Sequence, residues 1–252
     1  MNVVALRYDP ERGLFGQRSL RGRSACVKCQ ATLRWFELIP LCSFAALRGK
    51  CRSCGTGIAL QYPIVEIAGG LIALTPLVIH PLVQGIIWTI VLYILLAITL
   101  IDMRLRIIPD GANVMLGILG ILSALTAKKS TLGYLAVWLE APTQPVLGAL
   151  LGGAIGLFVF GAIVIYTSGR GMGLGDAKLA VALGILFGYP DILLLLMLAF
   201  ILGAIVGIGY MLAKKATLKD AIPFGPFLAI GGVLTLFCGQ RILELYLRAF
   251  GL

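Results

Sequence analysis

Long apolar runs follow one another from Tyr62 to the C-terminus, whereas the first quarter of the chain is polar. A helix that spans a bilayer needs roughly 20 apolar residues. The runs predict helices at 64–80, 82–101, 111–126, 146–166, 177–190, 191–213 and 224–240. We therefore expect an all-α fold: a polytopic transmembrane helical bundle of about seven spans in residues 64–252, and a separate small cytoplasmic region in residues 1–63.

The composition excludes an ordinary soluble domain, because 60% of the 252 residues are hydrophobic and only 13% are charged. The net charge of +10 indicates membrane topology, since Lys and Arg collect on the cytoplasmic side of membrane proteins. With residues 1–63 in the cytoplasm, 17 of the 21 basic residues fall on that side, against Lys128, Lys129, Arg241 and Arg248 on the other. The lipid bilayer is therefore an expected partner, and no nucleic acid is expected.

Two aspartates stand where a predicted helix meets the cytoplasmic face: Asp102 in LIDMRLRIIPD and Asp176 in GMGLGDAK. Asp102 ends one helix and Asp176 precedes another, so the two helix dipoles act on them in opposite senses. This asymmetry favours a pair that shares one proton. Such a pair hydrolyses a peptide when one carboxylate takes a proton from water and the other polarises the amide. Gly173 and Gly175 would leave room for an extended substrate strand.

Spacing alone leaves other interpretations open. Asp102 could simply pair with Arg104 or Arg106, and Asp176 could only cap its helix near Lys178. A protein of another class, an ion- or proton-coupled transporter, would also carry acidic residues in its membrane helices. Its carboxylates are expected near the middle of the membrane, whereas these two lie at the cytoplasmic ends of their helices.

Four cysteines form two CxxC pairs in the polar region, Cys26 with Cys29 and Cys51 with Cys54, separated by 21 residues. Two such pairs can supply a tetrahedral Cys₄ zinc site. The cytoplasm is reducing, which disfavours disulfides. Because four protein ligands leave no open position, we expect a structural Zn²⁺ that does not activate water.

Three other residues with metal-binding side chains receive a simpler interpretation. Cys42 and Cys238 lie outside the CxxC pairs and are expected to be small packing residues. His80, the only histidine, falls in a turn before Pro81 and is expected to be a loop residue.

The two aspartate motifs together resemble the paired signature of the GxGD membrane aspartyl proteases, specifically the type IV prepilin peptidases. The resemblance is carried by Asp102 with IPD at 108–110, by GLGDAK at 173–178, by PFGP at 223–226, and by the stretch 26–66. It implies that Asp102 and Asp176 are catalytic and that the substrate is a prepilin or pseudopilin. It also implies that the leader is cut at the cytoplasmic face of a bacterial inner membrane, with residues 64–252 as the peptidase domain. Asp110 is expected to be a helix cap.

The resemblance implies a second activity, N-methylation of the new N-terminus with S-adenosylmethionine, associated with residues 1–63. The sequence itself shows no glycine-rich nucleotide loop of the Rossmann type. Glu66 either serves this second reaction or pairs with a nearby arginine.

The start of the chain departs from the family pattern. Members usually carry a membrane helix before the cysteines, whereas residues 1–4, MNVV, resemble only the end of that helix. Either that span is lost or the recorded start lies too far downstream. The sequence leaves the oligomeric state open.

Overall fold

A computed structural model describes residues 24–126, 144–169, 171–213 and 222–249. The expectations for residues 1–23, for Lys128 and Lys129, and for the loop 214–221 lie outside these ranges. Residue contacts divide the chain into two compact units, Met1–Tyr93 and Ile94–Leu252. The predicted division after residue 63 concerns membrane topology and stays a prediction.

The first unit contains two short elements followed by apolar helices. They are a 3₁₀ helix at Trp35–Leu38, α1 at Cys42–Ala46, α2 at Gln61–Ala73, α3 at Thr75–Val78, and the first half of α4 at Leu82–Leu105. The Tyr93 hydroxyl of α4 donates a hydrogen bond to the Gly69 carbonyl of α2, at 2.8 Å. This bond joins the first two long helices without leaving the phenol unsatisfied among apolar side chains.

The second unit is a bundle of helices. It comprises the rest of α4, α5 at Asp110–Thr126, α6 at Pro145–Tyr166, α7 at Leu174–Phe187, α8 at Asp191–Leu212 and α9 at Gly225–Ala249. Helix α7 packs against both α5 and α6, and α8 packs along α9. The central position of α7 explains why Leu179 and Leu183 are fully buried.

Small residues let α6 and α7 approach backbone to backbone. A Cβ atom on Gly152 would collide with the Gly184 carbonyl oxygen, and one on Gly156 would collide with the Ala180 carbonyl oxygen. Close approach through small residues replaces the hydrophobic driving force that helices lack in lipid. The contact fixes the height of α7, and with it the height of Asp176 at its start.

Five helical segments among the described residues are long and apolar enough to cross a membrane: Gln61–Val78, Leu82–Leu105, Pro145–Tyr166, Asp191–Leu212 and Gly225–Tyr246. The all-α fold is confirmed in these ranges, but the count of about seven spans is not. The other two predicted helices are present as α5 and α7, with 17 and 14 residues. Both fall short of the roughly 20 residues that a straight span needs.

Two helix boundaries differ from the sequence prediction in ways that affect the site. Helix α4 continues to Leu105, so Asp102 lies in its last turn. Helix α7 occupies 174–187 where 177–190 was expected, so Asp176 lies inside its first turn. Both carboxylates are consequently held by regular backbone.

Candidate active site

Asp102 is buried, with 4% of its surface exposed, and it is held by the start of another helix. The backbone N–H of Gly225 donates a hydrogen bond to Asp102 Oδ2 at 3.0 Å. Gly225 is the first residue of α9, whose first N–H groups have no partner within the helix. The carboxylate satisfies one of these donors, and the positive end of the α9 dipole faces it.

The residue at position 225 must be small for this contact to exist. A Cβ atom there would lie 2.7 Å from Asp102 Oδ2 and 3.3 Å from Asp102 Cγ. These atoms belong to a buried carboxylate, so they cannot move aside freely. Gly225 therefore permits the close approach of backbone to carboxylate that the hydrogen bond requires.

An aromatic cluster fixes the turn that leads into α9. The ring centroid of Phe224 lies 5.9 Å from that of Phe160, 5.3 Å from that of Phe200 and 5.8 Å from that of Phe227. Aromatic pairs at such separations are stabilising beyond their buried area. Because Phe224 directly precedes Gly225, this packing aims the Gly225 N–H at Asp102.

Asp176 is half-buried in the first turn of α7, which begins just after Gly173. Burial and the charge of Asp102 together raise the pKa of Asp176 to about 6, against an opposing hydrogen bond from the Gly173 backbone. The structure thus brings together the two carboxylates that the sequence singled out, close enough for their charges to interact. Like charges in one site favour a state in which only one is ionised.

Ile108 lies between the helix starts that carry the site, and sequence reasoning gave it no role. It is 7% exposed. A Cβ atom on Gly175 would lie 3.3 Å from Ile108 Cβ, and one on Gly225 would lie 3.4 Å from Ile108 Cδ1. The sequence feature that could have indicated a role for Ile108 is its position beside Pro109 in the IPD motif. Ile108 packs against the first turns of both α7 and α9.

Lys178, which lies two residues after Asp176, forms its ion pair with Asp110, whereas Asp176 accepts a hydrogen bond from the Gly173 backbone at the start of α7, as a capping residue does. Lys178 Nζ donates to Asp110 Oδ1 at 2.8 Å, and both side chains are largely exposed. Asp110 starts α5, close to its expected capping position. A surface pair of this kind is worth about 0–1 kcal/mol, so it fastens α5 to α7 only weakly.

The predicted asymmetry of helix dipoles is only part of the electrostatics. Asp102 does lie at the negative end of its own helix, α4, as expected. The Gly225 N–H adds a positive helix end from α9 on the same carboxylate. Both aspartates therefore face the start of a helix, Asp176 that of α7 and Asp102 that of α9.

The two glycines expected to border a substrate path differ in their surroundings. Gly173 is exposed, and the nearest atom to a Cβ placed on it is Asp176 Oδ2, at 3.5 Å. Gly175 lies in the first turn of α7 and packs against Ile108. Open space beside Asp176 is therefore found at Gly173, and the role of both glycines in substrate approach stays a prediction.

The four cysteines of the CxxC pairs converge as predicted. All four Sγ atoms lie within 4.8 Å of one another. Cys26 Sγ and Cys54 Sγ are 3.8 Å apart, and four sulfurs at about 2.3 Å around a tetrahedral Zn²⁺ would be separated by about 3.8 Å. The cluster, Cys26, Cys29, Cys51 and Cys54, therefore fits a metal ion.

Each of the two CxxC pairs is held by its own backbone turn, and the two turns are of the same type. The Gln30 N–H donates to the Cys26 carbonyl at 3.0 Å, and the Gly55 N–H donates to the Cys51 carbonyl at 2.9 Å. Both donor residues have a positive φ, 56° at Gln30 and 67° at Gly55. An antiparallel bridge, Ala25 with Thr32 in one and Lys50 with Gly57 in the other, closes each turn. Two turns of the same geometry, residues 25–32 and 50–57, thus present the thiols, and we call them the first and second cysteine knuckles.

Hydrogen bonds favour the thiolate at two of the four positions. The backbone of Cys29 lowers the pKa of Cys26, and the Thr56 side chain and backbone lower that of Cys54 to about 6. Cys29 behaves oppositely: although the Ala31 backbone lowers its pKa, burial and the neighbouring thiols raise it to about 11. Since the thiolate is the metal-binding form, the cluster is prepared for a cation.

Other residues that the sequence singled out lie outside both sites. Glu66 Oε2 accepts a hydrogen bond from the Leu41 N–H at 2.9 Å. Cys42 is exposed, so the expectation that it packs in the interior is wrong, whereas Cys238 is half-buried. His80 lies in the turn between α3 and α4, as expected.

Sequence reasoning missed two buried polar residues. Both polar atoms of the Asn113 side chain and Asp191 Oδ2 are buried without a hydrogen-bond partner among the described residues. The sequence feature that could have indicated them is a polar residue near the start of an apolar run. Buried polar groups without a partner are costly, so both residues are candidates for contacts with water.

Fold and sites together define a class: a multi-pass membrane protein with a pair of interacting carboxylates at helix starts and a four-cysteine cluster. Residues 1–80 match the family model of the bacterial peptidase A24 N-terminal domain, and residues 89–208 match that of the type IV leader peptidase family. The chain belongs to the type IV leader peptidase family, which confirms the resemblance seen in the sequence motifs.

Curated relatives agree with this membership. The prepilin leader peptidase/N-methyltransferase of Aeromonas hydrophila is 33% identical over 229 residues, which cover 90% of this chain and 76% of that protein. The protein of the same name from Pseudomonas aeruginosa is 33% identical over 252 residues, 98% of this chain and 82% of its own. One from Xanthomonas campestris is 34% identical over 225 residues, 87% and 74% respectively. No solved structure matches the chain.

Proposed function

We propose that the chain removes the leader from a prepilin or pseudopilin at the cytoplasmic face of a bacterial inner membrane, and that Asp102 and Asp176 are its catalytic pair. The observation that carries this proposal is the interaction of their charges across two helices, in a chain that belongs to the type IV leader peptidase family. Relatives named prepilin leader peptidase/N-methyltransferase supply the substrate class and the second activity.

The two carboxylates divide the work of hydrolysis. With a pKa of about 6, Asp176 is mostly ionised near neutral pH and serves as the base that takes a proton from water. The water oxygen then bonds to the scissile carbonyl carbon. Asp102, holding the shared proton, hydrogen-bonds the carbonyl oxygen, and the C–N bond breaks as Asp176 passes the proton it took from water to the leaving nitrogen. The pair titrates as one coupled system.

Gly225 is a positioning residue in this scheme. Its N–H occupies Asp102 Oδ2, which leaves Oδ1 to face the substrate. This hydrogen bond restricts rotation of the carboxyl group, and a restricted orientation lowers the entropic cost of reaching the transition state.

The substrate would lie in the bilayer beside the bundle. Its apolar helix would occupy lipid, and its leader junction would pass the exposed Gly173 to reach Asp176. The surrounding acidic and basic side chains, including the pair of Lys178 with Asp110, lie at the same end of α5 and α7. A basic leader is thus presented to a surface that carries both signs of charge.

The cysteine cluster would hold a structural Zn²⁺, which would pin the two knuckles together and take no part in peptide hydrolysis. We assign N-methylation with S-adenosylmethionine to the region around it, residues 1–63, and peptide cleavage to residues 64–252. The support for methylation is the name shared by the relatives. The transporter alternative receives no support from the family match.

The test is cleavage of a prepilin in membranes by the wild type, Asp102→Asn and Asp176→Asn, with the amount of each protein measured. The matched control is Asp110→Asn, which removes an exposed carboxylate from the same end of the bundle. We expect the first two variants to be inactive and the control to cut at near the wild-type rate. Cleavage by either catalytic-pair variant at the wild-type rate would contradict the proposal.

A further inference from the structure

The first unit carries an exposed apolar segment that lies outside both the aspartate pair and the cysteine cluster. In the 35–41 segment, Trp35 is 78% exposed, Leu38 50%, Ile39 40% and Leu41 41%. The segment lies between the two cysteine knuckles in the sequence, in the polar part of the chain. Large exposed apolar patches on proteins usually mark a surface that another molecule covers.

A hydrogen bond ties this segment to the first membrane span. The Leu41 N–H donates to Glu66 Oε2 at 2.9 Å, and Glu66 lies five residues inside the candidate span Gln61–Val78. At 1.5 Å per residue, Glu66 is roughly 7.5 Å along the helix from Gln61. Headgroup regions are about 5–7 Å thick on each side of the hydrocarbon. The contact therefore sets the segment beside the first two turns of the span, close to the bilayer face at which the span begins.

The same contact explains how a carboxylate is tolerated at that depth. An acidic side chain inside a membrane segment is costly unless it is paired or hydrogen-bonded. Glu66 is half-buried and accepts the Leu41 N–H. The span and the segment thus stabilise each other at the edge of the bilayer.

The chemistry around the segment suits a lipid surface. Trp35 packs edge-on against Phe36, with ring centroids 5.8 Å apart, and the Arg52 guanidinium lies 5.5 Å from the Phe36 centroid. Trp is enriched at membrane interfaces because its ring is amphipathic. Residues 24–60 contain five basic residues and one acidic residue, a balance that attracts anionic headgroups.

We propose that the 35–41 segment is an interfacial anchor, which docks on an anionic lipid surface at the membrane face where Gln61–Val78 begins. Arg52 connects the anchor to the second cysteine knuckle, because it stands between Cys51 and Cys54 while its side chain covers Phe36. The anchor consequently holds the cysteine cluster against the membrane.

The test measures whether lipid touches Trp35. Trp88 and Trp138 are replaced by Phe, which leaves Trp35 as the sole tryptophan of the full chain. The protein is reconstituted in vesicles of neutral and anionic phospholipids brominated at a shallow acyl position. Leu71→Trp with the three natural tryptophans replaced by Phe gives a reference inside the span, since Leu71 is 64% exposed. N-acetyl-tryptophanamide gives the aqueous reference.

We expect the shallow bromines to quench Trp35 at least as strongly as Trp at position 71. Quenching no greater than that of the aqueous reference would overturn the proposal. So would protection of Trp35 from both the brominated lipid and a water-soluble quencher, because it would mean that protein covers the segment.

A second measurement tests the choice of an anionic surface. Vesicles of neutral lipid alone should reduce Trp35 quenching about twofold, and Arg52→Glu should have a similar effect in the anionic vesicles. Lys28→Glu is the matched control, since it removes a basic side chain from the first knuckle. Equal quenching in neutral and anionic vesicles would overturn the assignment of an anionic surface.

Discussion

The four-cysteine cluster and the aspartate pair are both sites of four or fewer side chains, but they are built in different ways. Each half of the cysteine cluster is a local turn, whose backbone hydrogen bonds join residues at most nine positions apart around Cys26 and Cys51. The aspartate site is assembled from the end of α4 and the starts of α7 and α9, and the hydrogen bond that holds Asp102 joins residues 123 positions apart.

Because one site is local and the other is assembled from three helices, the geometry of each site depends on different parts of the chain. The cysteine turns are exposed or half-buried, so their geometry rests mainly on their own backbone and on the metal they would bind. The Asp102 carboxylate is buried, and its orientation rests on the packing of Gly225 and the aromatic cluster around Phe224. If residues 1–63 and residues 64–252 carry the two reactions, substitutions in one region should spare the reaction of the other.

The largest expected effect separates the two reactions. Asp102→Asn and Asp176→Asn should lower cleavage by about 10³-fold or more, as the loss of a catalytic group does. Methylation of a substrate supplied with its leader already removed should change less than about twofold. Mass spectrometry of the substrate N-terminus measures both reactions. Parallel loss of cleavage and methylation would show that the regions 1–63 and 64–252 do not act separately.

The next effect concerns the backbone donor to Asp102. Gly225→Ala should lower kcat for cleavage about 10-fold with little change in KM, because the added methyl displaces the Asp102 carboxyl from the N–H, and the lost hydrogen bond contributes about 0.5–1.5 kcal/mol. The added methyl would meet Asp102 Oδ2 at 2.7 Å. Steady-state kinetics with purified protein and prepilin provide the measurement.

The control for this variant lies on the same helix. A methyl at Gly232 would meet Phe187 at 3.4 Å, an ordinary contact, so Gly232→Ala should keep kcat within about twofold. Equal losses in both variants would mean that α9 tolerates no substitution, and that the Gly225 contact has no special role.

A smaller effect is expected from pH. Because burial and then the Asp102 charge raise the pKa of Asp176 to about 6, its carboxylate becomes protonated as the pH falls below that value. Cleavage, measured as kcat/KM, should then fall about tenfold per pH unit. Recovery of the rate on return to neutral pH excludes acid unfolding. A rate that stays constant down to pH 5 would argue against Asp176 as the base.

The smallest effect on cleavage is expected from the cysteine cluster. Replacing Cys26 and Cys29 together by Ser should reduce bound zinc from about one ion per chain to almost none, measured by elemental analysis. Cleavage should change less than about threefold. Cys42→Ser is the control, because Cys42 is exposed and outside the cluster. A loss of cleavage as large as that in the aspartate variants would show that the bundle needs the metal.

The sequence determined the helices, the two aspartates and the four cysteines, because each is written in a local pattern. Apolar runs of helical length must be buried or lie in lipid, and a CxxC pair brings two thiols to one side of a turn whatever surrounds it. The hydropathy pattern did not determine where α7 begins. Its first turn is polar and glycine-rich, and only contact with α5 and α6 makes those residues helical.

The tertiary structure alone decided what surrounds each carboxylate. Nothing near Asp102 in the sequence indicates that the Gly225 N–H would bind it or that Ile108 would pack beside Gly175 and Gly225. The pairing of Lys178 with Asp110 is equally absent from the local pattern. These contacts join different helices, and the close glycine packing of α6 on α7 is one of the packing contacts that position the helix starts. Hydrogen bonds and charge interactions act over a few ångströms, so they depend on distances that only the packed bundle fixes.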